Sequence, residues 1–145
     1  MRQRPGPRKK LIEGARHWAR APARAQAWKD YEDEIKALES AGIEREAAQR
    51  SLAARRPAPV LDFEVWPENW PAVRLFHRLS TQWRVAVGAL GGRQYFGLDY
   101  AAAESLMRVY GTKNRGAVMD DLIVMEYSVL PVLNGADDEG AAGDV

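Results

Sequence analysis

The residues of this chain that could do chemistry are few and scattered. Its two histidines, His17 and His77, stand sixty positions apart. Neither is joined by a second histidine or by a cysteine at the helical spacing that a metal site uses. His77 reads as a surface helix residue. Carboxylates cluster at Glu32, Asp33 and Glu34, at Asp120 and Asp121, and at Asp137, Asp138 and Glu139. General acid–base work needs a carboxylate whose surroundings shift its pKa inside a cleft. The first group falls on the solvated face of a helix, and the last lies in a Gly/Ala/Asp tail. Asp120 and Asp121 lie near a helix start, where negative charge is favourable anyway. No glycine-x-serine-x-glycine elbow occurs. Gly88-Ala89-Leu90-Gly91-Gly92 matches neither a phosphate loop nor a dinucleotide fingerprint. With no cysteine, disulfides, thiolate metal sites and a cysteine nucleophile are excluded. These residues predict no enzyme, no metal and no cofactor.

The elements that would position side chains read as helices. Residues 1–10 hold Pro5, Gly6, Pro7 and five bases and bury no apolar face, which predicts disorder. A helical pattern runs from Leu11 to Ala41, with Pro22 suited to a first turn. Trp28, Tyr31, Ile35 and Leu38 form its apolar face, and Gly42 is its stop. A weaker Ala-rich run covers 44–55. Arg55-Arg56-Pro57-Ala58-Pro59 is the expected boundary. Val60–Val65 alternates loosely and reads as extended chain. Asn69 is placed as a helix cap, with Trp70 and Pro71 in the first turn. Val73, Phe76, Leu79, Trp83 and Val87 then recur at spacings of three and four and predict one amphipathic helix ending at Gly88–Gly92. Arg93–Gly97 reads as a loop. Asp99 caps the next helix, with Tyr100, Ala103, Leu106, Met107 and Tyr110 inward and Gly111 as its stop. A last helix carries Val118, Leu122, Met125 and Val129 on one face, with Pro131 ending or bending it.

The fold class expected is therefore all-α. A basic, largely disordered leader (1–21) precedes a helical extension (22–56) and a Pro-containing linker (57–65). A compact three-helix domain (66–133) and an acidic disordered tail (134–145) follow. A three-helix core of that size is marginal alone, so support from the preceding helices or a partner chain is expected.

Hydrophobic content of 46% and charged content of 28% fit an ordinary globular chain. The net charge of +1 conceals segregation: residues 1–29 hold nine Lys/Arg against Glu13 alone, and acids outnumber bases in the rest. The basic arm could hold nucleic acid by counterion release, with Trp18 and Trp28 adding stacking. A solubilising, disordered leader, or one that docks on an acidic partner, is the preferred reading, because no recognition-helix motif is identifiable. Among the tryptophans, Trp70 and Trp83 are expected in the core and Trp66 partly exposed. Trp66, Arg74, Arg78, Arg84, Tyr95 and Phe96 are the candidate partner-binding residues, since interfaces favour aromatic residues and arginine. No run approaches a membrane span and no apolar signal core follows the basic start, so an intracellular place is expected.

The order and spacing of Trp66-Pro67-Glu68-Asn69, Leu75-Phe76, Thr81-Gln82-Trp83-Arg84, Gly97-Leu98-Asp99-Tyr100 and Met125-Glu126 resemble a family of short tailed-phage and prophage proteins. The likeness spans roughly residues 62–130. Tyr95-Phe96 and the first 57 residues depart from the pattern. Such proteins look like the downstream partner of the tail-assembly chaperone in phages with long flexible tails. The resemblance implies a non-enzymatic role in the host cytoplasm and absence from the mature virion. Its partners would be the tape-measure protein, the tail-tube protein and the upstream chaperone, with self-association possible. The alternative is a nucleic-acid-associated phage or mobile-element protein that uses the basic arm.

Overall fold

The computed structural model describes residues 6–60 and 62–135. The chain divides into two units, one of Arg20–Asp62 and one that joins the segment up to Ala19 to everything from Phe63 onward.

The smaller unit is a pair of helices, α2 (Ala21–Ser40) and α3 (Arg45–Ser51). Tyr31, Ile35 and Ala48 are buried between them, with Trp28, Leu38 and Leu52 packed alongside. This is the apolar face expected from the spacing. Gly42 supplies the stop at φ +89, where a side chain would be strained. Around it, Ile43 N–H donates to Leu38 C=O at 3.1 Å and Gly42 N–H to Glu39 C=O at 3.0 Å. That pair of bonds satisfies two carbonyls that the helix end would otherwise leave open. Arg45 bridges Glu32 at 2.8 Å and Glu39 at 3.3 Å, which pushes its already high pKa further up, chiefly through the bond to Glu32. Arg55 pairs with Glu34 at 2.9 Å. Glu32 and Glu34 thus serve as ion-pair partners between neighbouring helices.

The larger unit contains α1 (Pro7–Ala19), α4 (Trp70–Arg78), β1 (Trp83–Val87), β2 (Arg93–Leu98), α5 (Tyr100–Val109) and α6 (Arg115–Leu133). The long helix α6 is its axis: α1, α4 and β2 all pack on it. Val118, Leu122, Met125 and Val129 are buried along α6 as their spacing requires. They meet Leu11 and Ala15 of α1, Ala72, Leu75 and Phe76 of α4, Leu79, Leu98, and Ala103 and Met107 of α5.

Four expectations are corrected. The fold is not all-α: six helices accompany a two-stranded antiparallel sheet among the described residues. The helix expected to run from Asn69 to Leu90 stops at Arg78, and Trp83–Val87 is a strand. A spacing of four between Trp83 and Val87 satisfies a strand of period two as well as a helix, and β-branched Val85 and Val87 favour the strand. The Arg93–Gly97 loop is its partner strand. Secondly, the N-terminus is not disordered over residues 7–19. Pro7 opens α1 at a position where its missing N–H costs nothing. Leu11, Ala15 and Trp18, spaced four and three apart, then turn toward α6 while Arg8 and Lys9 stay exposed. Composition obscured this stripe because the bases occupy the solvent side. The acidic tail beyond residue 135 lies outside the described residues.

Thirdly, Asn69 stands at the N-cap position of α4, as expected, but its side chain makes no capping bond. It is buried, and its Nδ2 donates to Pro7 C=O at 3.1 Å, which ties the start of α1 to the start of α4. Finally, Trp70 is not core: it is 42% exposed and lies beneath Arg74, while Tyr100 of α5 and Tyr110 just after it are also exposed. Trp83 is half-buried, with Phe76 and Tyr95 edge-on at 6.0 and 6.1 Å.

Other details are as the sequence requires. Asp99 caps α5 with Oδ1 accepting from Ala101 N–H at 2.9 Å and Ala102 N–H at 3.1 Å. Replacing Asp99 by alanine is expected to cost about 1 kcal/mol, read as a lower urea midpoint at unchanged slope. Gly111, at φ +59, ends α5, with Thr112 N–H donating to Met107 C=O at 2.8 Å. Pro131 sits in the last turn of α6 and does not end the helix before Leu133.

Candidate protein-binding hairpin

The hairpin is held at its base and bare at its tip. At the base Leu98 is buried in the core and the Trp83 ring leans on Phe76 of α4. On the side of α6, Gly97 takes φ +140 and lies against the carboxylate of Glu126, so that a Cβ there would overlap Glu126 Oε1. Glu126 is buried, and its Oε2 has no hydrogen-bond partner. The nearby Tyr100 phenol is pushed up by burial, then by hydrogen bonding to Glu126 and by its charge.

The register pairs Trp83 with Leu98, Arg84 with Gly97, Val85 with Tyr95, Ala86 with Gln94 and Val87 with Arg93. Phe96 is the extra residue of a β-bulge between the second and third pairs. A bulge bends the strand and redirects side chains, and Phe96 is 59% exposed. The turn is made by Gly91 N–H donating to Gly88 C=O at 2.9 Å and Gly88 N–H donating to Gly92 C=O at 2.8 Å. Gly91, at φ +82, supplies the left-handed residue that closes a loop of this kind.

Beyond the base the apolar side chains lose their cover. Val87 is 69% exposed, and Leu90 at the tip is wholly exposed. Val85 and Phe96 are exposed too. A two-stranded hairpin alone is marginal in water, and packing of its base on the core holds it. Contiguous exposed apolar groups of this kind mark interaction surfaces.

Along the sequence, the stretch that forms α4 and the hairpin carries charge of one sign. From Asn69 to Leu98 the chain holds Arg74, Arg78, Arg84 and Arg93 and no Asp or Glu. Arg74 lies over the Trp70 ring at 5.4 Å, and Arg78 over the Tyr110 ring at 3.7 Å. These contacts orient both guanidinium groups, and all four arginines are exposed.

Of the expected contact residues, Arg84, Tyr95 and Phe96 fall on the hairpin and Arg74 and Arg78 on α4. Tyr95 is half-buried, its ring against Trp83. Trp66 is not part of this surface: it is half-buried and lines a separate hollow with Lys10, Glu64, Pro67 and Glu68. The residues not anticipated are Val85, Val87 and Leu90. Their signal was the alternation Trp83-Val85-Val87 followed by glycines, which is the pattern of a hairpin.

Among the described residues no group of three or more His, Asp or Glu is placed to hold a metal ion. Asp121, half-buried on α6, has its pKa raised by burial against the pull of Arg8. No helix among the described residues is long and apolar enough to cross a membrane.

No curated protein and no solved structure matches this chain. The sequence profile of one family, described as "Phage related hypothetical protein (DUF1799)", matches residues 48–133. That span includes the hairpin and α4, α5 and α6, while α1 lies outside it. It is more than half of the sequence, and the chain belongs to this phage-related family.

Proposed function

We propose that this protein is a non-enzymatic assembly factor of a phage, a tail-assembly chaperone-like module that holds another tail protein through its hairpin. The observation that carries the reading is the uncovered apolar end of the hairpin, Val85, Val87, Leu90 and Phe96, on a stretch whose four charges are all arginines. A binding protein needs a fixed base and a free apolar surface rimmed by polar groups, and this hairpin has both. The resemblance of the tryptophan- and arginine-bearing segments adds the biological setting: tape-measure or tail-tube protein as client, the host cytoplasm as the place, and absence from the finished particle. The family membership supports the phage setting alone.

The test is co-expression of the full chain with the tape-measure and tail-tube proteins of the same phage. The expected result is co-purification with one of them, reduced at least tenfold by Leu90→Asp with Phe96→Asp. Leu90 is wholly exposed and Phe96 mostly so, and the far-UV spectrum of this variant should match that of the parent. Steep salt-dependent DNA binding with no tail-protein binding would replace this reading by the nucleic-acid one.

A further inference from the structure

We propose that the outer edge of β1 is a binding site for an extended, acidic peptide segment of a partner protein, which adds to the hairpin as a third strand. This rests on the assembly reading and specifies how the client is held. The hydrogen-bond pattern assigns the two edges differently. In an antiparallel ladder, opposed residues alternate between pairs that exchange both bonds and pairs whose N–H and C=O point outward. Gly88 N–H donates to Gly92 C=O, so Gly88–Gly92 is a bonded pair. Val87–Arg93 is then an outward pair, Ala86–Gln94 bonded and Val85–Tyr95 outward.

Tyr95 shows this independently. Its N–H donates to Asn134 Oδ1 at 2.8 Å, and its C=O accepts from Asn134 Nδ2 at 3.0 Å. One side-chain amide at the end of α6 thus takes the place of a neighbouring strand and closes the β2 edge at that residue. On the other edge Val85 and Val87 turn their N–H and C=O away from β2, and among the described residues the sheet has no third strand there. β1 carries no proline and no bulged residue, and its only charge is Arg84, so the devices that usually blunt an open edge are largely missing.

The edge fits strand addition, in which main-chain bonds give affinity and alternate side chains give specificity. Val85 and Val87 offer an apolar row for side chains on one face of the incoming strand. Arg84 on β1 and Arg93 opposite Val87 are the only charges on the two strands, and both are positive, which argues for an acidic partner. They also argue against a second copy, because pairing two β1 edges would bring two arginine-bearing hairpins together. The chain's own acidic end is a poor strand, being mostly Gly, Ala and Asp.

The test titrates the full protein with a synthetic peptide of about eight residues, alternating valine and threonine between glutamate–aspartate flanks, followed by NMR. Binding is expected, weakening as salt rises, and weakening at least about tenfold with a lysine-flanked peptide or with one N-methylated on its pairing edge. Val87→Pro removes an outward N–H without breaking a bond to β2, and it should cause a similar loss. The unmodified protein with the N-methylated peptide gives the same answer should that variant fold poorly. No binding, or equal binding of the methylated and parent peptides, overturns the proposal. So does a homodimer in sedimentation that Val87→Pro dissolves, since the second copy then takes the edge. If the peptide binds but no tail protein does, the edge stands and the assembly reading falls; the reverse pattern removes the edge and keeps the reading.

Discussion

Replacing Gly97 by valine is expected to destabilise the protein by about 2–6 kcal/mol and to release the hairpin from α6. Two separate causes add. The backbone at φ +140 is a region that side chains rarely enter, at a cost of order 1–3 kcal/mol. The new Cβ also points into the buried Glu126 carboxylate, which must move, and overpacking adds about 1–3 kcal/mol. Urea unfolding followed by circular dichroism measures the sum. Gly91→Ala separates the causes, because Gly91 also has a positive φ but open space around its Cβ. It should cost only about 1–2 kcal/mol. Pairing Gly97→Ala with Glu126→Ala should recover part of the steric loss, read as a coupling energy. Equal costs at Gly91 and Gly97 would show that Glu126 does not press on the hairpin.

The second large effect concerns α1. Removing residues 1–19 deletes Leu11, Ala15 and Trp18 from the core of the larger unit. Leu11→Ala alone should cost about 2–5 kcal/mol, since the side chain is fully buried and α6 behind it cannot collapse into the space. Lys9→Ala, two residues earlier on the exposed side, should change stability by less than about 0.5 kcal/mol. The full truncation is expected to abolish the cooperative thermal transition of this unit, with near-UV dichroism from Trp18 and its neighbour Phe76 lost. A truncated chain that melts like the parent would contradict the place given to α1. The consequence is practical: a deletion made to ask whether the basic arm binds a partner would also unfold the surface under test.

Most of the helical frame was legible in the sequence because spacing reports burial directly. Val118, Leu122, Met125 and Val129 could share only one helix face, and Trp28, Tyr31, Ile35 and Leu38 another. Asp99, Gly42 and Gly111 carried chemistry that only helix ends use. The hairpin was hidden for a specific reason. Leu79, Trp83 and Val87 continued the helical stripe of α4 in phase, and only Val85 and the glycines marked the change of period. The candidate surface was half legible. The arginines and Phe96 stand out by type, but Leu90 and the valines are ordinary residues whose meaning comes from lacking cover. Trp70 was misplaced because proline and tryptophan at a helix start suggest packing, whereas Arg74 shields its ring at the surface. The buried role of Asn69 depends on α1 and could not be read without it.

The central claim is that the bare end of the hairpin is where a client protein binds. The most direct measurement is the affinity of the folded protein for its co-purifying tail protein, compared between the parent and Leu90→Asp with Phe96→Asp. Both proteins should share one melting curve. A loss of at least about tenfold, or 1.4 kcal/mol, is the predicted result. Unchanged affinity in an intact fold would place the binding surface elsewhere and contradict the account.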